Sequence, residues 1–418
     1  MSKHESILQT DEARAVQEAS RAIPSGWTQC SFADLVDFRN GMNFTQASRG
    51  KKIKVIGVGD FLDNEVLSDF SNTKSTTLNG EINEDDLLVN NDLLFVRSNG
   101  NKALIGRCVL VQDVSEPLSF SGFTIRARVK TEDVDHSYLS KLVRSPMFKE
   151  HLHRLGGGSS ISNLNQDILA KFVFELPPIH EQRKIADILR AWDAALEKTS
   201  QLIELRRRQY LGLRDQIIDW KSAKRSSIQD FLSPVSRPVE KPDGPYRALS
   251  VRSHGKGSYT REVENPDSVD MDTLFVARAG DIIVNITFAW EGAIALVPTE
   301  QDNCLVSHRF PTFVPIAGKA SSRYLRHVLT TPRFFYLLGL VSPGGAGRNR
   351  VLNKKDFLEL EVPFPSYERQ EIIARVLDDT EIAINAEVKY RDALASQKRG
   401  LMKKLLTGEW RVREAAFA

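Results

Sequence analysis

The feature that most constrains this chain is a long stretch that occurs twice. Residues 176–220 open with Leu176, Pro177 and Pro178 and continue as IHEQRKIADILRAWDAALEKTSQLIELRRRQYLGLRDQIIDW. A second copy starts near Phe364 and Pro365 and continues as YERQEIIARVLDDTEIAINAEVKYRDALASQKRGLMKKLL. A constant shift of 188 residues aligns them without a gap, pairing Pro177 with Pro365, Gln182 with Gln370, Ala186 with Ala374 and Gly212 with Gly400. Upstream, the same shift pairs Gly156, Gly157, Leu164 and Asn165 with Gly344, Gly345, Leu352 and Asn353. So long a period excludes a solenoid unit and predicts a duplicated domain plus helix, two related halves in one chain.

Within the first copy, positions 185, 189, 192, 196, 199, 203, 206, 210, 213, 217 and 220 step alternately by four and three. Ile185, Leu189, Trp192, Leu196 and Ile203 stand among them, and only Thr199 and Arg206 are neither apolar nor aromatic. That is a heptad seam. With proline only before its start, it predicts one helix over 181–220, about 60 Å long at about 1.5 Å per residue. A helix of that length with one apolar stripe needs a partner. The second copy supplies Ile373, Leu377, Thr380, Ile384, Leu394, Leu401 and Leu405 in the same phase, so the two should pack antiparallel. Glu387 and Arg391 fall on its seam and predict a looser, wetter middle.

The chain then divides into a polar segment or short helix at 1–22, a first globular domain at 23–177, a long helix at 178–221, a second globular domain at 222–365, and a second long helix with its tail at 366–413. At 418 residues there is length for two or three domains with their own cores. No apolar run approaches about 18 residues, so no membrane partner is expected. Three widely spaced cysteines, Cys30, Cys108 and Cys304, predict a reducing cytoplasm and no disulfide framework. Net charge is only +3, less basic than many simple DNA-binding domains, which counts against nucleic acid as the sole partner.

Each domain mixes β-branched runs with a helix pair broken at proline. DDLLVNNDLLFVRS (85–98), ALIGRCVLV (103–111) and FTIRARV (123–129) read as strands, and HSYLSKLVRSPMFKEHLHRL (136–155) as two helices broken at Pro146. In the second half, GDIIVNIT, GAIALV and SRYLRHVLTTPRFFYLLG answer these in order, with the shift wandering between 186 and 189.

Motifs for catalysis fail one by one. GVGDF (57–61) lacks the third glycine of a dinucleotide fingerprint, and HGKGS (254–258) lacks the spacing of a phosphate loop. His151 and His153, two apart on a helix, are poorly placed to share a metal, so neither a metal site nor a nucleophile–base set is expected. The positive candidates are polar loops. RSNGNK presents Arg97, Asn99 and Lys102; GGGSSISNLN presents Ser159, Ser160 and Asn165; GGAGRNRVLN presents Arg348, Asn349 and Arg350. Arginine reads guanine edges and asparagine adenine edges, while serine, lysine and backbone N–H groups hold phosphates. A solvated turn is the competing reading for each residue taken singly.

The pattern PPxxEQRKIADIL followed by a long helix, repeated once, with a large domain before each copy, resembles the specificity subunit of type I restriction–modification systems. Pro177, Pro178, Glu181, Gln182, Ile185, Ala186, Ile188 and Leu189 carry the likeness, with Pro365, Glu368, Gln370, Ile373, Ala374, Val376 and Leu377 in the second copy. LLTGEWRV (405–412) resembles the family's ending. The resemblance implies a mixed α/β (α+β) fold in which two target-recognition domains are joined by two long antiparallel coiled-coil helices. It implies a non-catalytic chain that reads a bipartite, asymmetric site in double-stranded DNA, one half per domain, with the helix pair as spacer. It also implies two methyltransferase subunits and restriction–motor subunits as partners; S-adenosylmethionine, ATP and magnesium would belong to them, and this chain would hold no cofactor. Two other readings stay open from the residues: a coiled-coil scaffold whose domains bind protein, and a fused enzyme with hidden motifs.

Overall fold

The computed structural model describes residues 23–43, 52–62, 64–77, 82–155, 163–344 and 350–412; the segment 1–22 lies outside them. The chain compacts into two units. One comprises Met1–Lys198 with Arg391–Ala418, and the other Thr199–Tyr390, so the division falls inside both long helices. Each unit therefore holds one globular domain and an antiparallel pair of half-helices.

In the first unit a five-stranded sheet runs in the spatial order Val36–Asn40, Thr124–Val129, Leu93–Val96, Cys108–Val111, Val66–Leu67. Leu93–Val96 and Cys108–Val111 are buried at every residue, which is why they are continuous apolar runs with no polar alternation. The helices His136–Leu142 and Pro146–Leu155 cover one face of that sheet. Pro146 opens the second of them, where its missing N–H costs no hydrogen bond. In the second unit the strands Leu232–Val235, Thr312–Pro315, Ile282–Val284 and Ile294–Leu296 take the same spatial order as the first four above. The helices Ser322–Val328 and Pro332–Leu340 repeat the break at proline. A separate five-stranded sheet, Pro238–Glu240 to Ser258–Val263, has no five-stranded counterpart among the described residues of the first unit, where three strands fill that role. The duplication thus holds in the central sheet and helix pair and fails at the outer sheet.

The long helices span Ile179–Ile217 and Tyr367–Leu406. The first ends three residues short of the expected Trp220. The Asp219 carboxylate accepts from the Lys221 and Ser222 N–H groups and starts a turn, while Trp220 packs half-buried against the second core. In the first unit Ile185, Ala186 and Leu189 share a core with Met402, Leu405 and Leu406. In the second unit Ile373, Ala374 and Leu377 share a core with Ile218, and Leu213 and Ile217 pack against it. Ile203 and Ile384 are buried, whereas Trp192, Leu196 and Leu401 are only half-buried. Arg206, the polar interruption of the first seam, meets Glu387, the interruption of the second, at 2.9 Å. Read antiparallel, the two gaps in the apolar stripe answer each other.

Gln182 and Gln370 explain the most recognisable part of the repeat. Both are fully buried. The Gln182 Oε1 accepts from Asp135 N–H at 2.8 Å while its Nε2 donates to the carbonyls of Asp133 and Pro177. Gln370 does the same one repeat later: its Oε1 accepts from Ser321 N–H at 2.9 Å and its Nε2 donates to Lys319 and Pro365. Asp135 and Ser321 are themselves helix N-caps. One amide thus ties the start of each long helix to the start of its domain's helix pair. Only a side chain with both donors and an acceptor can satisfy these three backbone groups.

The tail closes the first unit. Arg411 pairs with Glu181 and lies over the Trp27 ring, while Trp27 Nε1 donates to the same carboxylate at 3.3 Å. Burial pushes the Glu181 carboxyl up, but hydrogen bonds from Arg411 and Trp27 outweigh it and hold that group below its ordinary range. The IPSGWT entry, the EQR start of the helix and the GEWRV tail, far apart in sequence, are one locus.

Candidate nucleic-acid interface

In each domain the loop that leaves the central strand is joined to the end of the Gly-rich segment by one main-chain bond. Leu164 N–H donates to Arg97 O at 2.8 Å in the first domain, and Leu352 N–H to Ile286 O at 2.9 Å in the second. Leu164 and Leu352 are buried and anchor these junctions. The two candidate loops of the first domain are therefore neighbours, although more than sixty residues separate them in sequence.

Individual candidates fare differently. Arg97 is half-buried, and its guanidinium donates to Gly122 O at 3.4 Å. Asn99 folds its Oδ1 back onto Asn101 N–H, forming a turn, and Lys102 stands exposed at the end of that turn. Asn165 has a local role that the sequence reading did not assign to it. Its Oδ1 accepts from Ile168 N–H at 2.8 Å and caps the helix Gln166–Ala170. Asn353, its repeat partner, caps Lys354–Glu359 through Lys355 and Asp356 N–H. The repeated asparagine is thus engaged by local structure, as N-cap preferences would have indicated. Ser159, Ser160, Arg348 and Asn349 lie outside the described residues. Arg350 stacks over Trp290 at 5.5 Å from the ring centroid. The sequence reading missed that tryptophan, whose indole Nε1 donates to Thr287 O at 3.2 Å.

Among the described residues, His327, Asp378 and Glu381 form the one His/Cys/Asp/Glu group close enough to share a metal ion. The Arg326 guanidinium already occupies that position, with Nη2 2.6 Å from Asp378 Oδ1, 2.6 Å from Glu381 Oε2 and 3.2 Å from His327 Nε2. Burial pushes the Asp378 carboxyl up, yet hydrogen bonds from His327, Arg326 and Arg323 hold it below its ordinary range. Burial also raises all three cysteine thiols, Cys30 to about 11, leaving them poor nucleophiles at neutral pH.

Residues 24–207 match the model of the type I restriction modification DNA specificity domain. Over 419 aligned residues the chain is 24% identical to the putative type I restriction enzyme MjaX specificity subunit of Methanocaldococcus jannaschii, covering 94% of this chain and 95% of that one. It is 21% identical to the MjaVIII specificity subunit of the same organism, with 94% and 95% covered. Among solved structures, one described as the structural basis of complex assembly and conformational transition of the type I R-M system superposes with a TM-score of 0.61 at 14% identity, covering 93% of this chain and all of that one. The HsdS subunit from Thermoanaerobacter tengcongensis superposes at 0.51 with 15% identity over 94% of this chain. At these identities the superpositions speak for the fold alone.

The duplicated sheet-and-helix domain on two long helices is the fold these structures share. Residues 24–207 carry a type I restriction modification DNA specificity domain, and along nearly its whole length the chain is similar to specificity subunits of type I restriction–modification systems, the non-catalytic components of those enzymes.

Proposed function

We propose that each globular domain reads one half of a split, asymmetric site in double-stranded DNA, and that the helix pair fixes the gap between the halves. The observation that carries this is the duplication itself. The central sheet, helix pair and Gln182/Gln370 clamp recur, while the loops after Val96 and Val284 differ in every polar side chain they offer. A shared scaffold with divergent loops suits two readers of different sequences. On this reading the chain also recruits two methyltransferase subunits and restriction–motor subunits. In the first domain, Arg97, Asn99 and Lys102 face the DNA; in the second, Arg348, Asn349 and Arg350 do.

Methylation-site profiling of the reconstituted complex tests the division of labour. Replacing Arg97, Asn99 and Lys102 together with alanine should relax one half-site and spare the other; the triple replacement at 348–350 should do the converse. Each lost base contact should cost about 1–3 kcal/mol of discrimination, and each lost phosphate contact should lower the salt dependence. Equal blurring of both half-sites by either variant would refute the assignment of one half per domain. Full preference at both half-sites would show that these loops do not read DNA.

A further inference from the structure

The helix Pro146–Leu155, the turn after the Arg97 loop and the last turns of the second long helix enclose a cleft of about 760 Å³ in the first unit. Its floor is apolar, formed by Ile105, Phe148, Leu152 and Met402. Around it stand six cations, Lys102, Arg107, Arg144, Lys149, Lys398 and Arg399, against a single lining carboxylate, Glu65. The charges are not equivalent. Lys398 pairs with Asp193, and Arg144 lies 3.5 Å from Glu65 and donates to the Asn64 carbonyl. Arg107 donates to Leu62 O. Lys149 and Arg399 stand exposed on opposite walls. In a chain whose net charge is only +3, this is a local concentration of positive charge.

The repeat shows that the scaffold does not need these cations. Gly106 and Gly292 mark the same turn in the two domains, both with positive φ. From that anchor, Arg107, Arg144 and Lys149 correspond to Ala293, Thr330 and Phe335, while Lys398 and Arg399 correspond to Tyr210 and Leu211. The Phe335 ring lies against Gly292, where in the first domain Leu152 lies against Gly106. One fold thus forms this corner with a cluster of cations in one half; in the other those positions are uncharged, and a single arginine, Arg214, stands where the first half has Met402 and donates to Thr330 O.

We propose that the cleft docks an acidic segment of a partner subunit, in which Asp or Glu side chains flank one large apolar side chain. The apolar side chain would sit on Phe148, Leu152 and Met402, and the carboxylates would meet Lys149 and Arg399. An apolar centre inside a charged rim is the anatomy of a protein interface. A concavity of a few hundred Å³ takes an inserted side chain. The phosphates of a DNA duplex would gain nothing from such a floor. This inference rests on the reading of the chain as one component of a multi-subunit enzyme.

The test uses the full chain and a labelled synthetic peptide with Asp–Glu pairs on either side of a single Phe, followed by fluorescence anisotropy at low salt. The double variant K149E/R399E, changed at two exposed positions, should weaken binding by about tenfold. A peptide with Lys in place of Asp and Glu should prefer the variant over the parent chain, which excludes misfolding as the cause. Replacing the peptide's Phe with Ser should weaken binding to the parent chain several-fold. Unchanged peptide affinity in K149E/R399E would overturn the proposal. So would a variant that loses affinity only for a random-sequence DNA duplex, since the cleft would then serve the DNA backbone. The two proposals fail separately: these outcomes strike the docking site, whereas unchanged site preference in the loop variants strikes the reading loops.

Discussion

In the first unit, Lys141 reaches Asp193 on the first long helix at 2.6 Å, and Lys398 on the second long helix meets the same carboxylate. One repeat away the acid is kept as Glu381, but its partners are not lysines. Tyr210 donates to it at 2.7 Å, lies 3.1 Å from His327 Nδ1, and Arg326 adds an ion pair at 2.6 Å. His327 occupies the place of Lys141, and Tyr210 that of Lys398. In both units a carboxylate on a long helix binds the domain's helix pair to the other long helix. The comparison teaches that the acid at the junction is the fixed element, while the groups that satisfy it are exchangeable as a set. A buried carboxylate left alone is costly, so its partners change together or not at all.

The strongest way to break the equivalence of the halves is at their cores. Leu189→Asp and Leu377→Asp each bury an unpaired carboxylate where a leucine is fully enclosed, and each should destabilise its unit by on the order of 5 kcal/mol. Chemical unfolding of the two variants checks this; an unchanged midpoint in either would place that leucine in solvent. Next in size are Gln182→Ala and Gln370→Ala. Each strands a backbone N–H and two carbonyls, and the two should cost the same, about 2–4 kcal/mol. Unequal losses would mean that the clamp differs between the halves despite its matching bonds.

The smallest effect is the most discriminating. Tyr324 Oη donates to Pro363 O at 2.9 Å, whereas the hydroxyl of its counterpart Tyr138 is buried with no partner among the described residues. Tyr324→Phe should therefore cost about 1 kcal/mol, and Tyr138→Phe should be neutral or stabilise by a similar amount. Opposite signs in thermal melts would support the asymmetry, and equal losses would reveal a bridging water at Tyr138.

Much of the fold was legible because duplication amplifies weak signals. A heptad seam with Thr199 and Arg206 in it is ambiguous alone; matched by Ile373, Leu377 and Ile384 in phase, it specifies a helix pair. The Arg206–Glu387 pairing was also readable, had the two copies been laid antiparallel instead of side by side. What could not be read was long-range satisfaction. Gln182 was visible as a repeated residue, but its partners at Asp133 and Asp135 lie 49 and 47 residues upstream. Nothing local announces that a glutamine will close onto those backbone groups. Asn165 is the opposite case: its partner Ile168 is three residues away, so its capping role was legible in the sequence. The basic cleft escaped notice because its cations come from three separate segments, none of them a charge run.

The return of Arg411 to Trp27 and Glu181 imposes an order on the birth of the molecule. The residues of the second unit, 199–390, are contiguous and are all available once Tyr390 has left the ribosome. The first unit has its early residues outside the ribosome long before, yet its core lacks Met402, Leu405 and Leu406 until their codons are translated. At about 5–20 residues per second, the first-made domain waits about 10–40 seconds while the second is synthesised. The half that begins first is completed second, and a chain broken off before Met402 would leave the first-made half without part of its core.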